Sequence, residues 1–254
     1  HVPVADKSNS WNQYLHEVWP EADLAFFIDG YAKVLPDALS RLSNGLLANS
    51  QALAGSGVPL SGRSAKRLRR AAAGMHGNLY VIRGEVLRNF RAIGFRLPLG
   101  LYRTDALLGA VMYFGLDPAE HRWDESRILH EPNANWTFSP LKFWRPSGLL
   151  AHSKRIMRQA QGVMENSAVR EHLAVQRKRP QDLPRTASDL VLAWIAARPS
   201  AALKVMVSRP QCLVAAYRLK KARGTPIKAK RLQPIEPAPE RPNSPIASSE
   251  PAQN

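Results

Sequence analysis

Cysteine is almost missing from this sequence: Cys212 stands alone among 254 residues. One thiol forms neither an intrachain disulfide nor a thiolate cluster, so disulfide scaffolds and cysteine-based zinc sites are excluded, and a reducing cytosol fits best. Acidic residues are short as well, with 20 Asp and Glu against 36 Lys and Arg, which leaves a net charge of +16 and a pI near 10.5. Such a field favours anionic partners: nucleic acid, phospholipid headgroups or nucleoside diphosphates. Long apolar runs are missing too. The longest charge-free stretch, residues 42–62, is studded with Ser, Asn and Gly and is too polar to cross a bilayer, and no secretory signal is visible. His1 stands where Met would, so the expectation is a fragment or a processed start.

What is present can build one sizeable α/β domain with appendages, because 44% of the residues are hydrophobic. The positive charge is concentrated towards the C-terminus: residues 151–231 hold 18 basic and 4 acidic residues. Residues 225–254 contain seven prolines and few large apolar groups, too little to offset the entropy of ordering, and are expected to be a disordered tail. The expected division is therefore a core over 1–146, a basic helical region over 147–224 and the tail over 225–254.

Trp11, Tyr14, Leu15, Val18 and Trp19 fall at helical spacing, and Pro20 closes the pattern, which predicts a helix over 11–22. Leu24–Ile28 (L-A-F-F-I) ends in Asp29-Gly30 and predicts a buried parallel strand that delivers Asp29 to the ligand-binding edge of a sheet. Pro36-Asp37 opens a helix to about residue 47. Strands are expected within 49–63 and over 79–82, helices over 85–90 and 104–114, and an edge strand over 127–129 before a Pro-rich loop over 132–146. Residues 148–175 and 186–221 read as helical, broken at residues 180–184, Pro199 and Pro210.

Four segments carry chemistry. The first, residues 7–39, places Lys7 and Asn12 on a helix, Asp29 after the apolar strand, and Pro36-Asp37-Ala38-Leu39 beyond. The second is Gly77-Asn78-Leu79-Tyr80-Val81-Ile82-Arg83, a glycine-led strand. The third is Leu97-Pro98-Leu99-Gly100-Leu101-Tyr102-Arg103-Thr104-Asp105, with Asp105 in the first turn of a Leu-rich helix. The fourth, residues 154–162, puts Arg155 and Arg158 on one helical face, where guanidinium forks suit a diphosphate or a charged acceptor. Each has a plain structural reading beside the functional one. Asp29 can cap a turn, Gly77 can simply start a strand, Asp105 can neutralise a helix N-terminus, and the arginines can be solvated.

In order and spacing these segments resemble family 2 glycosyltransferases. The resemblance implies the GT-A fold (nucleotide-diphospho-sugar transferase-like), a mixed sheet with flanking helices, continued here by the helical C-terminal region. It also implies inverting transfer from a nucleoside-diphosphate sugar to a carbohydrate or lipid-linked acceptor, in polysaccharide or glycoconjugate synthesis. On that basis Asp105 is the expected catalytic base, Lys7 and Asp29 meet the donor diphosphate, and Asp29 holds a divalent cation, Mg or Mn. Gly77, Asn78, Arg155 and Arg158 line the acceptor or diphosphate. The chain departs from the family in three places: the acidic motif reads Asp29-Gly30-Tyr31 and has one carboxylate instead of two, Thr104 stands where the family often carries the first of two adjacent acids, and Gln159 stands where processive relatives carry Trp. The family's first βαβ units would precede Lys7, so N-terminal truncation is expected.

Two further readings come from the charge. A basic nucleic-acid-binding protein is the alternative, motivated by the runs 66–70 and 177–179, but no recognised DNA- or RNA-binding pattern accompanies them. The basic, Trp- and Leu-bearing stretch 189–223 could lie on an anionic membrane, which gives the expected location: cytoplasmic, peripheral at the inner face of the plasma membrane.

Overall fold

The computed structural model describes residues 5–61, 65, 74–138 and 146–223. The basic run 66–70 and the tail over 225–254 lie outside these residues.

The first helix, α1 (Lys7–Gln13), begins four residues before the expected start because Asp6 caps it, accepting the Asn9 N–H at 2.8 Å. A π-helical turn, Tyr14–Val18, follows, and the backbone leaves the helix at Trp19, just before Pro20. The helix therefore ends four residues before 22, where the imino ring of Pro20 has no N–H to give. Trp11, Leu15 and Trp19 form its buried stripe.

Among the described residues, five strands form one sheet in the order β1 (Leu24–Ile28), β4 (Leu79–Arg83), β3 (Ala54–Pro59), β5 (Ile128–Thr137) and β2 (Lys33–Val34). Only β3 and β5 run parallel among the described residues. Two sequence expectations are corrected here. Leu24–Ile28 is not a buried parallel strand: among the described residues it is an edge strand paired antiparallel with β4. Its apolar run reflects a sheet covered on both faces. Ala25 and Phe27 join Tyr80 and Ile82 on one side, while Leu24 and Phe26 join Leu79 and Val81 on the other. The expected short edge strand at 127–129 is the start of ten-residue β5, which lies between β3 and β2. The expected loop beyond 132 is thus partly strand. Pro132 is tolerated because the ladder slips there: His130 faces Ser56 and Asn135 faces Val58.

Helix α2 (Ala38–Ala48) packs Ala38, Leu42 and Leu46 on one face of the sheet. The opposite face carries α1, α3 (Gly84–Ala92), α4 (Thr104–Tyr113) and the C-terminal helices. These are α5 (Pro146–Arg170), α6 (Ala187–Ala197), α7 (Pro199–Ser208) and α8 (Gln211–Ala222), broken at Pro199 and Pro210 as the sequence predicts. One apolar cluster runs from Trp11 through Phe90 and Leu108 to Met164, Trp194 and Leu219. Full burial of each large side chain in it contributes about 2 kcal/mol.

Gly57 shows how tightly β3 is enclosed: a Cβ there would lie 2.5 Å from the Ala134 carbonyl oxygen. At the end of β4, Arg83 gives its Nε–H to the Ala52 carbonyl at 2.7 Å and an Nη2–H to the Asn49 carbonyl at 2.9 Å. That clamp fixes the α2–β3 connection against the sheet.

Candidate active site

The site lies where four chain segments meet at one end of β1 and β4. Because β1 pairs antiparallel with β4, Ile28 stands beside Leu79, and the next residues outward are Asp29 and Asn78. The Asp29 N–H donates to the Asn78 carbonyl at 3.2 Å, and the Asp29 carbonyl receives the Ala32 N–H at 2.8 Å. The strand end and its turn thus hold the Asp29 backbone. Its carboxylate takes two further bonds: Lys7 Nζ at 2.7 Å on Oδ1, and the Tyr31 hydroxyl at 3.2 Å on Oδ2. Desolvation first, then the negative charge of Asp29, pushes the Tyr31 phenol above its ordinary range, while an Asn78 side-chain hydrogen bond acts in the other direction.

Asp105 enters from the first turn of α4. Its carboxylate turns away from its own helix and accepts the Gly77 N–H at 3.1 Å. Gly77 is the hub. A Cβ at that residue would lie 3.2 Å from Lys7 Nζ and 3.3 Å from Asp105 Cγ, so the space a side chain would need is already taken by the two charged groups.

Lys7, Asp29, Gly77, Asn78 and Asp105, distant in sequence, are therefore brought together. Arg155 and Arg158 are not: both lie on the exposed face of α5 and make no hydrogen bond or ion pair among the described residues. The arrangement gathers a cation and two carboxylates at the ends of β1, β4 and α4, a set of groups that can meet a phosphorylated ligand and take up a proton.

Two participants escape sequence reasoning. Tyr80 is buried under the cluster, stacked on Phe27 with centroids 4.9 Å apart. Burial first, then the charges of Asp105 and Asp29, pushes its phenol far up, so it stays neutral beside them. Glu165 of α5 is fully buried and receives the N–H groups of Tyr102, at 3.0 and 3.1 Å, and of Arg103, at 3.1 Å. It also receives Gln161 Nε2 at 2.7 Å. Burial raises its carboxyl while these bonds oppose the shift. Glu165 thereby fixes the turn that leads into Asp105. Beside it the Arg103 side chain crosses Gly162, where a Cβ would fall 2.6 Å from Nε. The only hint in the sequence is the i, i+4 pair Gln161 and Glu165, which reads equally well as solvent-facing.

No protein-family model matches the sequence, and no curated protein does. Among solved structures, the mannosyltransferase PcManGT from Pyrobaculum calidifontis in complex with GDP-Man and Mn2+ is similar, at 17% identity and a TM-score of 0.47. The likeness covers 87% of this chain and 61% of that one.

A divalent cation has little protein to hold it here. Among the described residues, no group of three or more His, Cys, Asp and Glu could chelate one. Asp29 offers a partly exposed carboxylate whose Oδ1 already carries Lys7. Its Oδ2 receives the Tyr31 hydroxyl, so an ion here would have to share one already bonded carboxylate and take its other ligands from phosphate oxygens and water, as hard cations such as Mg and Mn can.

Proposed function

We propose that this chain is catalytic machinery of a glycosyltransferase that moves a sugar from a nucleoside-diphosphate donor to an acceptor hydroxyl with inversion. The observation that carries this reading is the convergence of Lys7 and Asp105 on Gly77, with Asp29 bonded to Lys7. Asp105 is the base: it takes the proton of the acceptor hydroxyl as that oxygen forms its bond to the anomeric carbon. The bond from that carbon to the diphosphate oxygen breaks, and the electron pair leaves with the diphosphate. In this reading Lys7 Nζ stabilises the growing charge on the diphosphate, an interaction strongest in the transition state. A divalent cation on Asp29 would supply further positive charge to the diphosphate. Gly77 and Asn78 line the acceptor or the diphosphate, and the exposed Arg155 and Arg158, away from this cluster, meet a long acceptor or the distal part of the donor.

In this reading residues 1–146 are the catalytic core, 147–224 a helical region that braces it through Glu165, and 225–254 a tail. The acceptor is a carbohydrate or a lipid-linked one in polysaccharide or glycoconjugate assembly, handled on the cytoplasmic side of the plasma membrane.

The test is a calorimetric titration with UDP, GDP and dTDP, each with and without manganese. Saturable binding of one of them, weakened by Lys7→Met, is the expected result and identifies the donor class. No binding of any nucleotide by this chain or by one extended at its N-terminus would sink the reading.

A further inference from the structure

We infer that the outer face of α7 and α8 is a docking surface for an anionic lipid bilayer. The two helices are joined by Arg209 and Pro210 and point Ala202, Cys212, Ala215 and Leu219 into the core. Their other sides carry Leu203, Val207, Leu213, Val214 and Tyr217, which are 46–71% exposed. Leu203 and Val207 are four residues apart, as are Leu213 and Tyr217, so each helix presents an apolar stripe outward. Isolated apolar side chains are ordinary on a surface, but five exposed ones within fifteen residues, on two successive helices, are denser than that.

The charge around these side chains selects the partner. From residue 190 to 235 the chain has ten Lys and Arg and no Asp or Glu. Arg198 and Arg223 are paired, with Glu171 and Asp189. Lys204, Arg209, Arg218 and Lys220, interleaved with the apolar stripe, meet no carboxylate among the described residues. A polyanion such as nucleic acid would use the cations and leave the Leu and Val side chains in water. An anionic bilayer uses both, because apolar groups sink about 5–10 Å into the headgroup boundary while basic groups remain at the phosphates.

The surface lies on a membrane and does not cross one. No single helix among the described residues is long and apolar enough to span. The pair α6 and α7 passes by length and composition only when joined across a 109° bend. Moreover Leu190, Val191 and Trp194 of α6 are committed to the protein core.

This inference stands apart from the reading of the active site, and its test uses no sugar nucleotide. The 254-residue chain is floated with vesicles of phosphatidylcholine alone, and with vesicles in which about a third of the lipid is phosphatidylglycerol. It is expected to float with the anionic vesicles only. Lys204→Gln combined with Lys220→Gln is expected to lower partitioning about thirty-fold, at roughly five-fold per charge. Val207→Ser combined with Tyr217→Ser is expected to lower it roughly tenfold. Leu47→Gln, at an exposed position on α2, serves as the control and is expected to bind fully, with circular dichroism confirming the fold of every variant. Absence of flotation with anionic vesicles overturns the proposal. So does sensitivity to the charge variant without sensitivity to the apolar one, which describes a polyanion site. Self-association that the apolar variant abolishes, without vesicle binding, overturns it in favour of a second copy of the chain.

Discussion

The Gly77 N–H donates to Oδ2 of Asp105 at 3.1 Å, tying the start of β4 to the first turn of α4 across 28 residues of sequence. A first-turn aspartate ordinarily serves its own helix. Here the carboxylate is instead bonded to Gly77, the residue that also borders Lys7 Nζ, the partner of Asp29.

Asp105→Asn preserves shape and an oxygen to receive the Gly77 N–H while removing proton affinity. Turnover is expected to fall about 100- to 10,000-fold with thermal stability nearly unchanged. Single-turnover kinetics beside a melting curve checks this. Normal turnover would remove Asp105 from the role.

Lys7 and Asp29 are separable by metal dependence. Lys7→Met is expected to weaken nucleotide binding by roughly 10- to 100-fold with or without manganese, as for loss of a charge-assisted bond. Asp29→Asn is expected to erase the difference between the two conditions. If manganese still strengthens binding to the Asn variant, the cation is held elsewhere.

Gly77→Ala tests the hub. Its methyl would meet Lys7 Nζ at 3.2 Å and Asp105 Cγ at 3.3 Å. Since Lys7 is long and 44% exposed, it can retreat, so the stability cost is expected to stay within about 1 kcal/mol. Nucleotide affinity and turnover are both expected to drop, because retreat breaks the Lys7–Asp29 contact. Unchanged affinity with Lys7 displaced would show that this lysine does not meet the donor.

How far the sequence alone leads depends on the range of the interactions involved. The placement of Asp29 is legible because a short apolar run must end where its carboxylate begins, whichever way the strand is paired. The pairing itself is not legible. L-A-F-F-I reads as buried in a parallel sheet, yet the same residues serve an antiparallel edge whose two faces are both covered. Strand β5 is hidden for a different reason: Glu131-Pro132-Asn133 has turn chemistry, and only the slipped register against β3 lets the strand run through it. Glu165 is hardest to find, since its partners Tyr102 and Arg103 lie over 60 residues away and its helix face is otherwise amphipathic in the ordinary way.

Glu165→Gln examines that long-range brace. A glutamine oxygen can replace one acceptor, but its NH2 would confront the N–H of Tyr102 or Arg103, so a cost of about 1–3 kcal/mol is expected. Because Glu165 touches neither Lys7 nor Asp29, turnover is expected to fall while nucleotide affinity holds. An equal loss of both would describe general unfolding and not a role in positioning Asp105.

His172 is expected to make the fold sensitive to mildly acidic pH. Its ring is buried in the π-helical turn after α5, Nε2 lies 3.2 Å from the Arg179 carbonyl oxygen, and burial lowers its pKa from 6.5. Nearby Lys178 opposes protonation, whereas the Arg179 carbonyl and Asp182 favour it, and burial outweighs them. A group depressed in this way binds a proton more readily in the unfolded chain, so its contribution to stability is fully present above about 6.5 and declines as pH falls through the folded value. Melting temperature is therefore expected to drop between pH 7 and 5, and His172→Gln, which can still donate to the Arg179 carbonyl, is expected to flatten that slope. If wild type and variant decline in parallel, the acid sensitivity comes from carboxylates elsewhere and His172 is not its source.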